Sequence, residues 1–216
     1  MKINEIFPSI QGEGVHAGRK MTFIRLSGCN LACAWCDTKY ASKVNDELSA
    51  KDINPDTDWI CITGGEPLFQ ADSVAALVLH LRSRGKHTEI ETNGSIPPPR
   101  WAFMCVDGFP LVDSWVVDVK LPSTGNPSSL NNISEWANNM RTSDQIKLVV
   151  ADEEDLGVAQ EWITHIRGKA EVLVSPVILE EPDRDWMCRV ADFCVKFNLR
   201  YSLQIHKILW GNKRGV

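Results

Sequence analysis

Cys29, Cys33 and Cys36 bring three thiols into one short stretch, in the pattern Cys-x-x-x-Cys-x-x-Cys. Thiolates are the soft ligands that iron-sulfur clusters require, and this spacing lets a single loop wrap three corners of a 4Fe-4S cubane. Three local ligands leave one iron open, and the amino and carboxylate groups of a small ligand can chelate it. Gly28, Asn30 and Asp37 mark the stretch as a polar loop and not a core strand. The alternative is structural zinc, which is almost always four-coordinate and would need a further ligand such as Cys61 or His16. No second CxxC pair or HxxxH run supplies one.

A second loop reads Thr63, Gly64, Gly65, Glu66, Pro67. Paired glycines let the backbone approach a ligand closely, and a neighbouring Glu accepts hydrogen bonds from an ammonium or a ribose. Other apolar runs end on Glu91, Thr92, Asn93 and Gly94, on Asp118, Val119 and Lys120, and on Ser175 and Pro176. Taken singly, each reads equally well as a solvated loop, and Val119 as plain strand alternation. Their shared placement matters more, because residues at the same end of parallel strands converge in space.

The elements that must hold these loops are legible as apolar, β-branched runs at 21–27, 58–63, 87–92, 114–119, 145–150 and 171–175, with a possible seventh at 200–205. Helical patterns fall at 72–84, where Val74, Leu77, Val78 and Leu81 share a face, and at 129–140, 152–166 and 183–197. Residues 95–110, with three consecutive prolines, read as a rigid loop, and 121–129 as a polar, turn-rich one. The β/α alternation predicts an α/β fold with a parallel sheet of about six strands, too few for a closed barrel and hence an open partial barrel. A chain of 216 residues suits one domain spanning 1–216.

Composition narrows the function. A net charge of -5 argues against a nucleic-acid partner, since binding a polyanion calls for a basic surface. No apolar run approaches the roughly 18 to 20 residues that span a bilayer, and residues 1–11 lack the regions of a signal peptide, so the expected location is the cytoplasm. Seven cysteines, three of them clustered, suit metal ligation in a reducing compartment better than a disulfide framework. Cys61, Cys105, Cys188 and Cys194 read as small buried hydrophobes, and a count of eight tryptophans speaks more for core and interface than for a cofactor box.

The combination of residues 5–14 (EIFPSIQGEG), Phe23-Ile24-Arg25-Leu26, the cysteine loop through Cys36-Asp37-Thr38, Thr63 to Pro67, Glu91 to Ser95, residues 146–150 and residues 202–207 closely resembles the 7-carboxy-7-deazaguanine synthases, a family of radical S-adenosylmethionine enzymes. The resemblance spans nearly the whole chain. It implies a carbon-nitrogen lyase that contracts the ring of 6-carboxy-5,6,7,8-tetrahydropterin with loss of ammonia, in the pathway to queuosine and archaeosine. It implies a 4Fe-4S cluster on Cys29, Cys33 and Cys36, S-adenosylmethionine, magnesium on Thr38, a flavodoxin or ferredoxin reductant, and a homodimer. Substrate residues are then Ile10, Gln11, Gly12, Glu13, Arg25, Thr63, Glu91 and His206, with Arg25 as the cationic fork for a carboxylate. Cofactor residues are Trp35, Cys36, Asp37, Gly64, Gly65, Glu66, Asp118, Val119, Lys120, Ser175 and Pro176. Many members have Ser-Pro-Lys at the position of Asp118-Val119-Lys120 and Gln-Pro at that of Ser175-Pro176. A rival within the same chemistry is an activating enzyme for a glycyl-radical protein, which does not call for Gln11, Gly12 and Glu13 with Arg25. A rival outside it is a non-catalytic zinc module.

Overall fold

A computed structural model describes residues 1–126, 130–166 and 168–216. The chain opens with a hairpin in which β1 (Lys2–Ile10) pairs antiparallel with β2 (Lys20–Leu26), and Phe7 stacks on Phe23 at 5.4 Å between ring centroids. There follow β3 (Asp46–Glu47), β4 (Trp59–Gly64), α1 (Ala71–Ser83), β5 (His87–Thr92), the short ribbon β6 (Cys105–Val106) and β7 (Phe109–Pro110), and β8 (Ser114–Lys120). The remainder is α2 (Ile133–Asn139), β9 (Gln145–Val150), α3 (Glu153–Ile166), β10 (Glu171–Pro176), α4 (Arg184–Phe197), β11 (Arg200–Tyr201) and α5 (Ile205–Trp210).

Strand order in the main sheet is β11-β10-β9-β8-β5-β4-β2-β1-β3. From β2 to β11 every pairing is parallel and follows the order of the chain. A sheet wound in one direction has no switch-point crevice, so its natural ligand site is the rim formed by the strand C-termini. All six residues of β9 are buried, as expected of a strand inside a parallel sheet. On α1, Val74, Leu77, Val78 and Leu81 are fully buried at helical spacing, each contributing about 1.5–3 kcal/mol of transfer free energy. Trp115 and Trp136 fill the core with their indole N–H groups on the Ala102 and Ile96 carbonyls, both at 3.0 Å.

The expected strands and helices fall where the periodicity put them, within a residue or two, except at the edges. The helix expected at 129–140 begins at Ile133, and residues 127–129 of the expected loop lie outside the described residues. β1 carries no clean alternation and contains Pro8, tolerable because β3 pairs only with Lys2 and Ile3 and leaves the rest of that edge open among the described residues. The strand expected at 200–205 stops after Tyr201. Ser202 N–H still reaches the Val174 carbonyl at 2.9 Å, but Ile205 N–H is taken by the Gly12 carbonyl at 2.9 Å and the chain turns into α5. Within the expected loop 95–110, Asp107 and Gly108 both have positive φ and close the β6–β7 ribbon. Cys61 and Cys194 are buried as expected, whereas Cys105 and Cys188 are exposed, because one sits on that surface ribbon and the other on the outer face of α4. No helix among the described residues is long and apolar enough to cross a membrane.

Candidate active site

The cysteine loop leaves β2 through Gly28, whose φ of 91° is left-handed and whose N–H bonds the Ala41 carbonyl at 3.0 Å. The loop is pinned from its far side. Ala34 N–H meets the Thr124 carbonyl at 3.0 Å, and the Trp35 indole donates to Ser123 Oγ at 2.9 Å. Ser123 in turn donates to the buried Asp155 of α3 at 2.5 Å. Cys29 Sγ receives Leu31 N–H at 3.4 Å and Asn93 Nδ2 at 3.7 Å, and Cys36 Sγ lies 3.5 Å from Thr38 Oγ1. Burial raises the Cys33 thiol above its ordinary value, Lys120 pulls it back, and Cys36 and Cys29 push it up. A bound iron cluster would hold all three cysteines as thiolates.

The glycine loop is strapped onto this one. Gly65 N–H bonds the Leu26 carbonyl at 3.1 Å and Glu66 N–H the Gly28 carbonyl at 2.9 Å. A Cβ on Gly65 would run into the Gly28 carbonyl, and one on Gly64, at φ 141°, into the backbone of Leu26. The Glu66 side chain does not face the cleft: it is fully buried and accepts from Leu68 N–H at 2.9 Å, Thr92 Oγ1 at 2.8 Å and Asn93 N–H at 2.7 Å. Burial raises its carboxyl, with those donors opposing. Glu66 thus organises the rim between β4 and β5.

Opposite the cysteines stands a polar wall. Gln11 Nε2 donates to Glu89 at 2.6 Å and to Glu91 at 3.0 Å, and Thr63 donates to the other Glu91 oxygen at 2.8 Å. Burial raises Glu91, although Lys147 opposes it. Glu13 accepts from Lys147 and, at 2.8 Å, from Gln204; burial would raise its carboxyl, but Lys147 and His206 draw it down to about 2. Asp118 takes Lys147 at 3.0 Å and Lys120 at 2.8 Å. Burial lowers the His206 imidazole from its ordinary value and favours its neutral form, and its ring packs so closely on Gly12 that any Cβ there would strike it. The Arg25 guanidinium donates through Nε to Glu5 at 2.8 Å and lies 5.8 Å from the Tyr40 ring. It is a half-buried wall residue with a carboxylate partner of its own, not a surface charge.

One cleft gathers these groups. Every candidate residue lines it except Glu66, Val119 and Pro176, with Val119 in the apolar core. Asn93, named only as part of a strand end, also lines it, as do Lys147 and Gln204, which the sequence reading gave no role; a lysine inside an otherwise apolar strand was the signal for Lys147. Buried Ser175 Oγ faces the cleft without a hydrogen-bond partner, as a site for a polar ligand would leave it. The donor set fits a cluster held by three thiolates with a polar ligand beside it. The two further zinc ligands weighed from the sequence are engaged elsewhere: His16 is held by Glu89 at 2.6 Å, and buried Cys61 groups with Glu89 and Glu91.

Comparison with known proteins agrees. A family described as a 4Fe-4S single cluster domain matches residues 10–97. A 7-carboxy-7-deazaguanine synthase of Methanospirillum hungatei is 38% identical, covering 97% of this chain and 85% of its own. That of Thermoplasma acidophilum is 32% identical over 100% of both chains. The chain belongs to the 7-carboxy-7-deazaguanine synthase family. The crystal structure of QueE from Escherichia coli, at 24% identity, matches with a TM-score of 0.72 over 95% of this chain and 94% of that one, and shows the same fold. Family membership makes the chain an enzyme, and the cysteine loop falls within the matched 4Fe-4S cluster domain.

Proposed function

We propose that this chain is a 7-carboxy-7-deazaguanine synthase acting on 6-carboxy-5,6,7,8-tetrahydropterin, within one radical S-adenosylmethionine domain spanning 1–216. The observation that carries the reading is the convergence of three cluster thiols with Gln11, Glu13, Glu91 and His206 in a single cleft. When bound, the cluster and S-adenosylmethionine supply the electron and the radical that take a hydrogen atom from the substrate. The residues of the chain bind, orient and exclude water.

Glu91 and Gln11 present acceptor and amide groups suited to the amide edge and exocyclic amine of a pterin. Arg25 and His206 face its carboxylate end, and Thr38, beside Cys36, offers a hard oxygen to magnesium. Trp35, Asp37, Gly64, Gly65, Asp118, Lys120 and Ser175 form the cofactor wall, with the Glu66 carboxylate fixing the loop behind it. The sheet curves as an open partial barrel, a reading supported by residues of β2, β4, β5, β8, β9 and β10 meeting in that cleft. A flavodoxin or ferredoxin serves as reductant, the enzyme is a homodimer, and its seven free cysteines suit the cytoplasm.

The test is incubation of anaerobically reconstituted enzyme with the carboxypterin, S-adenosylmethionine and a reductant, followed by mass spectrometry. Formation of 7-carboxy-7-deazaguanine is expected. Consumption of S-adenosylmethionine without that product would refute the substrate while leaving the reaction class intact.

A further inference from the structure

Lys147 is a buried ammonium in the middle of β9, whose other five residues are buried with it. A buried ion pair is seldom more stabilising than apolar side chains of the same volume, so packing alone does not account for a lysine here. Its position does. Lys147 is directly opposite Asp118 in the parallel register of β8 and β9, and its ammonium forms an ion pair with Asp118 Oδ1 at 3.0 Å. Its ammonium also bonds Glu13, which belongs to no strand and takes its place from Lys147 and Gln204. Asp118 continues the line to Lys120, whose ammonium lies 5.7 Å from the ring centre of Trp35 on the cysteine loop. One row of alternating charges therefore crosses the cleft from the Gln11–Glu13 segment to the cluster loop.

We infer that Lys147 is a positioning residue that couples the pterin subsite to the cofactor subsite by holding Glu13 and Asp118 at once. The inference rests on the function proposed above. A ligand that orders Glu13 orders the shared ammonium, and so presets Asp118 for the other ligand. Coupling of this kind is reciprocal by thermodynamic necessity. Burial works against the charge on Lys147, but Asp118, Glu13 and Glu91 outweigh it, so the bridge stays protonated across the working range.

The test measures affinities on the anaerobically reconstituted holoenzyme without reductant, so that neither ligand turns over. In the unsubstituted enzyme the carboxypterin is expected to tighten S-adenosylmethionine binding about tenfold, and the reverse equally. Lys147→Met should abolish the mutual enhancement and Lys147→Arg should restore most of it. Enhancement that is missing from the unsubstituted enzyme, or that persists in a folded Lys147→Met protein, overturns the inference. Should that variant fail to fold, Glu13→Gln with Lys147→Gln removes both charges of the bridge together, and the same loss or persistence decides. Failure of the unsubstituted holoenzyme to bind the pterin at all would instead sink the proposed function, and the inference with it.

Discussion

At the residue scale, Glu66 and Glu13 show how similar carboxylates serve different ends. Glu66 is an internal acceptor for two backbone N–H groups and one hydroxyl. Glu66→Ala orphans all three, and at about 1 kcal/mol or more for each buried unsatisfied group the loss should reach about 3 kcal/mol in urea denaturation. Glu66→Gln, which keeps an acceptor oxygen, should lose less. Glu13 has its folded pKa drawn from 4.5 to about 2, so the stability it contributes is full above about pH 4.5 and disappears as pH falls toward 2. The stability gap between the unsubstituted protein and Glu13→Gln should therefore be wide at pH 7 and narrow by pH 3; a gap that does not change with pH would contradict the ion pair. The Gly-Gly-Glu-Pro string exposed the position of Glu66 but not its direction. Nothing local distinguishes a Glu that faces a ligand from one that turns to cap the next strand, since two of the three donors come from residues 92 and 93.

At the scale of elements, caps and close approaches separate stability from function. Asp183 caps α4 through Trp186 N–H at 3.0 Å and does not line the cleft. Asp183→Ala should cost about 1 kcal/mol in denaturation and leave iron content unchanged. Gly65→Ala should do the opposite, because its methyl would press on the Gly28 carbonyl at the root of the cysteine loop. Iron bound per chain after reconstitution should drop several-fold with little change in midpoint, and normal loading would show that the loop can yield. The parallel strands and α1, α3 and α4 were readable because burial imposes a period on apolar residues. β1 and α5 were not, for a physical reason. β1 alternates poorly at an open sheet edge, and α5 is a six-residue helix set off by a hydrogen bond to Gly12, nearly two hundred positions earlier.

At the scale of the molecule, the strength of the fold and its chemistry lie in different places. One apolar cluster runs from Ile3 to Cys194, while residues 29–38 form neither helix nor strand and are held by a few hydrogen bonds. Stripping the iron with chelator should leave the circular dichroism of the sheet intact and make 29–38 the first site of limited proteolysis, with protection returning on reconstitution. The sequence disclosed the rim because the cleft residues come in tight clusters, each after a strand. It hid Lys147 and Gln204, whose value appears only when β9 and the segment before α5 are set against Glu13. That segment carries one more consequence. Gly14 N–H bonds Ser202 Oγ at 3.0 Å, Ile205 N–H the Gly12 carbonyl, and His206 covers Gly12, so the wall facing the cysteines is finished by residues made after every strand of the sheet. On the ribosome, a nascent chain could fold its cysteine loop early yet would keep an unsealed chamber until residue 206 had emerged from the exit tunnel.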